Sequence, residues 1–383
     1  MTGAACGPGA DADRLPEDID SLIGVRQYAE RADFPVERGY IWTSCASVEN
    51  GNPLFWDDDV ADALTGGPIA PPSTISLWLR PHYWSPGHAG ERLALQVHFD
   101  LKARLGLPEA IMSDNSIVFY DPVRPGDVIA SAQILRSVSP PKVTKLGAGR
   151  FWVIDIEYTN QWDELVALES YTGFGYRRGA ATDDAVAGAP TDKAVAVTPS
   201  TAGPTAAASS AAGPSAGVAL SAPAAGPDGL TLDAVHIGDS LPALARQVDA
   251  TTVVLGALAT RDWRPMHHDH RFAVERQGVR DIFLNTPNQA AWFERYLTDW
   301  SGPRGRLGRV RFRMHDSVFS GDAMTLRGTV TTVDRDETGC GWVDVDLTMS
   351  VGDRMCTTCR ARLALPTTPD DNPWARRGER WQP

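Results

Sequence analysis

An aspartate and a histidine five positions apart, Asp262 and His267, are the residues of this chain best suited to chemistry. Pro265 lies between them and bends the chain, so the two side chains can converge. Histidine is suited to proton transfer because its ordinary pKa lies near neutrality. In such a pair, one group takes a proton from water while the other manages the proton at carbon, which is useful for adding or removing water. The alternative interpretation is that Asp262 caps a turn and His267 packs in the core.

The segment that carries this pair occurs twice. Residues 262–269, with the sequence DWRPMHHD, align with residues 50–57, NGNPLFWD, and both copies keep the proline and the last aspartate. The first copy has Asn50 and Phe55 where the second has Asp262 and His267. Two further pairs of matching segments follow in the same order: VRPGD at 123–127 with VFSGD at 318–322, and WVIDI at 152–156 with WVDVD at 342–346. We infer a tandem duplication in which only the second copy does chemistry.

The composition divides the 383 residues into two modules, a linker and two ends. Residues 179–228 are rich in Ala, Pro, Ser, Thr and Gly and cannot bury enough surface to offset their ordering entropy, so we expect a flexible linker. We expect the ends, at 1–13 and 367–383, to be disordered. The folded parts are then an N-terminal module at 14–178 and a C-terminal module at 229–366.

Each module shows a proline-containing loop, then a helix, then several alternating runs. The spacing of apolar residues predicts one helix at 287–300 and another that opens at 69–73 and runs through Leu79. In the second module the runs predict strands at 310–314, 323–333, 341–351 and 355–365. One helix followed by antiparallel strands predicts an α+β fold, in which a sheet wraps round a central helix.

Composition and charge exclude several classes of function. The net charge of −12 argues against nucleic-acid binding, which draws its affinity from basic surface. The N-terminus lacks a basic start with an apolar core, and no stretch is apolar enough to cross a bilayer, so we expect a cytoplasmic protein with no membrane contact. We expect no cofactor and no metal. The run 267–270 cannot place all four side chains on one ion. Cys356 and Cys359 lie three apart on a predicted strand, so their side chains point to opposite faces of the sheet.

Several motifs resemble a known family. Residues 259–269, ATRDWRPMHHD, resemble the signature of the MaoC-like hot-dog hydratases, the (R)-specific enoyl-CoA hydratase family. Residues 281–303, with DIFLN, RYLTDW and SGP, resemble more narrowly the actinobacterial members that act on steroid side-chain enoyl-CoA thioesters. IAPP at 69–72 and PVRPGD at 122–127 resemble the dehydratase-like domain that accompanies them. The resemblance implies a tandem, or double, hot-dog fold.

The resemblance also implies a reaction, the reversible hydration of a trans-2-enoyl-CoA to a (3R)-3-hydroxyacyl-CoA. It makes Asp262 and His267 the pair that positions and activates the water. The first module would be non-catalytic and would shape the pocket. Since that module lacks the pair, its part of the cleft is free for a bulky, steroid-like acyl group.

The substrate is expected to contact four further residues, which are Asn285, Asn288, Arg264 and Ser317. The positive end of the helix that Asn285 opens can hold the thioester oxygen as negative charge develops. Simpler members of the family have Gly at the position of Asn285 and Asn at that of Arg264. Asn285 could instead donate its side-chain amide to that oxygen, or it could simply cap the helix.

Two alternative functions remain open at this stage. The first is a dehydratase that acts on thioesters of a carrier protein, with the same fold and the same pair. The second is a non-catalytic subunit that binds an acyl thioester in support of a true hydratase. In the leading hypothesis, the hydratase, the partner is an acyl-CoA thioester, and the chain could form a homodimer or act as a pseudo-dimeric monomer.

Overall fold

Each module wraps an antiparallel sheet round helices, and the two sheets join edge to edge. The computed structural model describes residues 15–89, 95–178 and 229–383. The N-terminal segment 1–13 and the linker at 179–228, both predicted to be disordered, lie outside these residues. Within them, no helix is both long and apolar enough to cross a membrane.

The first module contains short helices and the strands of an antiparallel sheet. Its helices are α1 (Glu17–Asp20), α2 (Arg38–Ser47), α3 (Pro53–Trp56), α4 (Asp58–Thr65), a 3-10 helix at Pro72–Leu79, and α5 (Gln96–Arg104). Its strands are β1 (Arg26–Arg31), β2 (Trp84–Ser85), β3 (His88–Ala89), β4 (Glu109–Phe119), β5 (Ala130–Val138), β6 (Lys142–Thr144), β7 (Gly147–Thr159) and β8 (Leu165–Arg177).

The second module repeats this plan with a long central helix. Its helices are a 3-10 turn at Leu232–Ala234, α6 (Ala250–Ala259), a 3-10 turn at Pro265–His267, a π-helical turn at Phe272–Arg276 and α7 (Thr286–Ser301). Its strands are β9 (Ser240–Gln247), β10 (Arg306–Met314), β11 (Ala323–Arg335), β12 (Gly341–Val351) and β13 (Arg354–Leu365). The predicted helix and all four predicted strands of this module are confirmed, each within a few residues of its bounds.

The sheet order shows the duplication directly. The strands run β1-β5-β7-β8-β4-β10-β13-β12-β11-β9, while β6 pairs with β7 and β2 pairs with β3. The second half repeats the first in mirrored order. The seam is the antiparallel pair β4 and β10, in register from Arg309 opposite Val118 to Phe312 opposite Asn115. Two units of the same plan therefore associate within one chain, which is the arrangement of a pseudo-dimer.

The repeated motifs fold alike in both modules. Gly126 and Gly321 occupy the same left-handed turn, with φ of 93° and 89°. In each turn the following aspartate accepts a hydrogen bond from a backbone amide three residues earlier, at 2.7 Å for Asp127 and 2.8 Å for Asp322. Only glycine adopts this conformation without strain, which explains why both copies keep it.

The central helices of the two modules differ. The sequence predicts an ordinary helix that opens at 69–73, whereas the structure has a 3-10 helix at Pro72–Leu79, half the length of the 16-residue α7. Pro71 and Pro72 supply no amide hydrogens to this segment, and Pro81 disfavours a helical conformation for the residue before it. Arg80 is accordingly extended, with φ −80° and ψ 120°. The chain therefore leaves the helix at Arg80.

The C-terminal segment 367–383 is ordered, so its predicted disorder is wrong. Trp374 and Trp381 are buried, and 3-10 turns form at Pro373–Ala375 and Gly378–Arg380. The guanidinium of Arg306, itself buried, lies 3.6 Å from the centre of a Trp381 ring and donates 2.8 Å to the carbonyl of Arg376. The polar composition suggested a mobile end, but two tryptophans and one buried arginine from β10 hold it.

Trp381 ties this segment to the first module, because its indole Nε1 donates to the carbonyl of Phe119 at 2.7 Å. Trp381→Ala is expected to lower the free energy of unfolding by about 3–5 kcal/mol, as for other buried tryptophans. Thermal unfolding of this variant beside Gln382→Ala, an exposed neighbour, measures the effect. Equal unfolding midpoints for the two variants would show that the segment contributes no stability.

Candidate active site

The Asp262–His267 pair lies where α6 ends and a tight loop begins. Arg261 follows the helix in a left-handed conformation, with φ of +48°, which is rare for a residue with a side chain. This reversal brings the amide of Asp262 back to the carbonyl of Ala257, at 2.9 Å. Pro265 opens the next 3-10 turn, which carries His267. Both side chains of the pair are buried.

The hydrogen bonds of His267 define its tautomer. Its Nδ1 lies 2.8 Å from the carbonyl oxygen of Phe283, and a carbonyl can only accept, so Nδ1 carries the proton. The Nε2 atom of the neutral ring is then an acceptor, and it lies 3.7 Å from Oδ2 of Asp262. That distance is too long for a direct hydrogen bond and short enough for one water to contact both atoms.

The surroundings of Asp262 and His267 favour a different protonation state for each side chain. Burial opposes ionisation of Asp262, but the charges of Arg80 and His267 and the Asn285 amide outweigh it, so the pKa of Asp262 lies below its ordinary value. Burial lowers the pKa of His267 below its ordinary value, even though Asp262 and the Phe283 carbonyl favour the proton. At neutral pH the pair is therefore a carboxylate beside a neutral imidazole.

Asn285 joins the helix start to the pair. Its Oδ1 accepts from the amide of Asn288 at 3.2 Å and so caps α7. Its Nδ2 donates to Oδ2 of Asp262 at 2.8 Å and to the hydroxyl of Thr260 at 2.6 Å. Both amide hydrogens are thus committed to the protein, which favours a role in orienting Asp262 over donation to a thioester oxygen. Pro287 has no amide hydrogen, which leaves the Thr286 amide as the backbone donor of this turn.

The structure separates the other three predicted contact residues. Arg264 adjoins the pair, since its backbone amide lies 3.4 Å from Oδ1 of Asp262. Asn288 is fully buried one turn into α7, where its Nδ2 lies 3.5 Å from the hydroxyl of Ser47. The carbonyl of Ser317 accepts from Arg354 at 2.6 Å. Only Arg264 is therefore brought to the pair.

The first module supplies site residues that the sequence analysis missed. Nη1 of Arg80 lies 3.7 Å from Oδ2 of Asp262. The guanidinium of Arg261 enters an aromatic pocket of the first module, 3.9 Å from the ring centre of Phe34 and 4.3 Å from that of Tyr40. The one signal for Arg80 in the sequence is that it precedes Pro81. A residue before proline is expected to be extended, and so to lie where the chain leaves a helix.

The corresponding place in the first module has no catalytic features. Oδ1 of Asn50 accepts from the amide of Asn52 at 3.0 Å, which closes a local turn. Phe55 is buried where the second module has His267. These contacts confirm the alignment of the two copies and leave the second module as the single location of the pair.

Comparisons with known proteins agree with this geometry. A family model described as FAS1-like, dehydratase domain region, matches residues 21–169. A MaoC-like dehydratase of known structure superposes with a TM-score of 0.60 and 16% identity, and covers 91% of this chain and 100% of that one. The 3-oxo-4,17-pregnadiene-20-carboxyl-CoA hydratase beta subunit of Mycobacterium tuberculosis is 39% identical over 97 residues, which are 25% of this chain and 74% of that protein. The chain belongs to the MaoC-like hydratase and dehydratase family.

One further relative and one further solved structure match different shares of the chain. A probable enoyl-CoA hydratase alpha subunit of Thermomonospora curvata is 30% identical over 150 residues, or 38% of this chain and 47% of that protein. A conserved hypothetical protein of Mycobacterium tuberculosis, described as having a double hotdog fold, superposes with a TM-score of 0.52 and 15% identity, covering 91% of this chain and 98% of that one. The double hot-dog fold predicted from the sequence is confirmed.

The double role of Asn285 can be separated by substitution. Asn285→Asp keeps an oxygen that can cap α7, but it places a second carboxylate against Asp262 and removes the amide donor. We expect a loss of activity and a lower unfolding midpoint at neutral pH, because repulsion raises the pKa of the two buried carboxyls and their ionisation then opposes folding. Asn285→Ala, which loses the cap as well, should also be less stable by about 1 kcal/mol. Full activity in Asn285→Asp would contradict the orienting role.

Proposed function

We propose that the second module hydrates a trans-2-enoyl-CoA to a (3R)-3-hydroxyacyl-CoA, and catalyses the reverse dehydration. The observation that supports this is the buried pair itself. An ionised Asp262 and a neutral His267 present two acceptor atoms 3.7 Å apart. A molecule that hydrogen-bonds to both acceptors must donate two hydrogens. Water, which is the reactant of a hydratase, has two hydrogens to donate.

The geometry supports one sequence of bond changes. Water donates one hydrogen to Asp262 and one to Nε2 of His267, which leaves an oxygen lone pair for C3 of the enoyl group. As the C3–O bond forms, the pair takes a proton from the water and the C2–C3 π electrons move toward the thioester carbonyl. The developing enolate oxygen is stabilised at the start of α7, where the amide of Thr286, the first residue of the helix, has no acceptor within the helix. The pair then returns a proton to C2, so one water has been added in total.

A bulky acyl group is the substrate class that the first module favours. That module lacks the catalytic side chains, and its central helix has eight residues where α7 has 16. The relative from Mycobacterium tuberculosis is named for a pregnadiene-carboxyl-CoA, so a steroid-like acyl group suits this proposal.

The substrate is tested by the loss of the ultraviolet absorbance of the enoyl thioester. A panel should run from crotonyl-CoA to a steroid side-chain enoyl-CoA, and it should include the same acyl groups on an acyl carrier protein. We expect turnover of the bulky CoA esters, with a (3R) product on chiral analysis. Turnover confined to the carrier-protein esters would replace the proposal with a carrier-protein dehydratase.

A non-catalytic role in a larger assembly is the second candidate, since one relative is named as a beta subunit. Size-exclusion chromatography with light scattering, run on the protein used for the absorbance assay, distinguishes the two. We expect the purified chain to be active without any other polypeptide, as a monomer or a homodimer. Tight binding of an enoyl-CoA without any change in its chromophore would favour the binding-subunit role.

A further inference from the structure

We propose that Arg80, supplied by the first module, is a positioning residue of the active site that holds Asp262 ionised and oriented. This inference rests on the proposed function for its kinetic test, and it goes further by making the catalytic site incomplete without the first module. The conclusion follows from the 3.7 Å between the Arg80 guanidinium and Oδ2 of Asp262, and from the contacts that fix the backbone beside it.

The backbone around Arg80 is fixed by contacts that cross between modules. Nη1 of Arg261, in the second module, lies 3.4 Å from the Arg80 carbonyl. The indole of Trp263 donates to the next carbonyl, that of Pro81, at 2.9 Å. Arg261 and Trp263 flank Asp262 in the sequence. The loop that carries the catalytic carboxylate is thus bound to the segment that carries Arg80, so the two side chains keep their relative position.

A polar cluster centred on the buried Glu169 lies on the first module's sheet. Glu169 accepts hydrogen bonds from the hydroxyls of Tyr158 and Tyr171, each at 2.7 Å, and from the amide of Asn115 at 2.9 Å. Burial and Glu169 raise the pKa of both phenols, and the charge of Arg80 opposes the rise. The charge of Arg80 therefore acts on this cluster of the first module as well as on Asp262 of the second.

Asp262 needs this cation because it is buried. Arg264 and His267 on its own loop, Asn285 at the start of α7 and Arg80 from the first module are the charged or polar side chains that act on it. His267 is neutral in the working state, and Asn285 carries no charge. Arg80 and Arg264 are then the cations that offset the desolvation of the carboxylate. With Arg80 removed, Asp262 would take up a proton at higher pH, and a protonated Asp262 no longer offers water a second anionic acceptor.

Three variants test this role kinetically. Arg80→Met removes the charge, Arg80→Lys keeps it without the planar guanidinium, and Arg136→Met is the control, because Arg136 pairs with Asp155 at 2.6 Å away from the site. The measurement is kcat/KM against pH, with a thioester that the wild type turns over. We expect Arg80→Met to lose about tenfold or more in kcat/KM at neutral pH, because Asp262 loses the cation that orients it. The acid limb, which His267 sets, should move to higher pH because loss of a nearby cation favours the protonated imidazole, while Arg80→Lys recovers part of both effects and Arg136→Met matches wild type.

A second readout does not depend on the substrate. Unfolding midpoints of Arg80→Met, Asp262→Asn and the double variant form a cycle, and non-additive changes measure the coupling of the two side chains. Strong coupling is expected. An unchanged acid limb in Arg80→Met, or additive midpoints in the cycle, would overturn the proposal. If coupling is present but the wild type turns over no thioester, the proposed function fails while the positioning of Asp262 by Arg80 stands.

Discussion

His267→Ala and Asp262→Asn are each expected to reduce kcat/KM by about 10²–10⁴-fold, the usual contribution of a positioned acid or base. His267→Ala removes the acceptor at Nε2, and Asp262→Asn replaces a charged acceptor with a neutral amide. Neither substitution disturbs the central helix or the sheet, so both variants should stay folded, and Asp262→Asn should lose only the stability that its pairing with Arg80 contributes. His270→Ala, an exposed histidine three residues away, is the matched control and should retain full activity.

The pH dependence of the wild type follows from the same pair. Hydration requires neutral His267, so activity is lost as the pH falls through the pKa of this residue. Because burial lowers that pKa, the acid limb of kcat/KM should lie below the ordinary histidine value of about 6.5, and the rate should be level near neutrality. The pKa of Asp262 is also lowered, so Asp262 stays ionised across this range. An acid limb above the ordinary histidine value would contradict this assignment of protonation states.

Arg261→Ala is expected to have the second largest effect, on stability as well as on activity. The Arg261 side chain is 1% exposed and lies over two aromatic rings of the first module. Each desolvated contact of this kind is worth about 2 kcal/mol. The substitution removes both contacts and leaves the aromatic pocket empty. It also frees the loop that carries Asp262, so kcat/KM should fall together with the unfolding midpoint.

The backbone of Arg261 allows its two roles to be separated. Glycine adopts the left-handed conformation at φ +48° without the strain that alanine retains. Arg261→Gly therefore loses the side-chain contacts and has an unstrained backbone, whereas Arg261→Ala loses the contacts and keeps the backbone strain. We expect both variants to have lower unfolding midpoints than the exposed control Arg327→Ala. Of the two, Arg261→Ala should have the lower midpoint. Wild-type stability in both variants would show that the aromatic pocket does not anchor the loop.

Much of this fold could be predicted from local patterns in the sequence. The apolar residues of 287–300 and of the four predicted strands after it have clear helical or alternating periodicity, and the structure has one helix and four strands there. The alignment of residues 50–57 with residues 262–269 correctly paired α3 with the 3-10 turn that opens at Pro265. The convergence of Asp262 and His267 followed from the proline between them. All of these features depend on neighbours within a few residues.

The features that could not be predicted depend on contacts between distant residues. Arg80 and Arg261 are polar residues in loops, and nothing in their own segments shows that they meet across the two modules. Trp381 lies in a polar tail, and its burial depends on Arg306, 75 positions earlier. Asn285 was expected either to cap α7 or to donate its amide to the thioester oxygen. It caps α7, and its amide bonds to Asp262 and Thr260 instead, because α6 ends directly beside it. Tertiary packing decided each of these cases.

The central claim is that Asp262 and His267 add water to an enoyl thioester. The most direct test follows the enoyl absorbance of one bulky enoyl-CoA at neutral pH with the wild type, Asp262→Asn, His267→Ala and His270→Ala in parallel. The account predicts loss of absorbance with the wild type and His270→Ala, and a rate at least about 10²-fold lower with each of the other two. Comparable rates in all four proteins would contradict it.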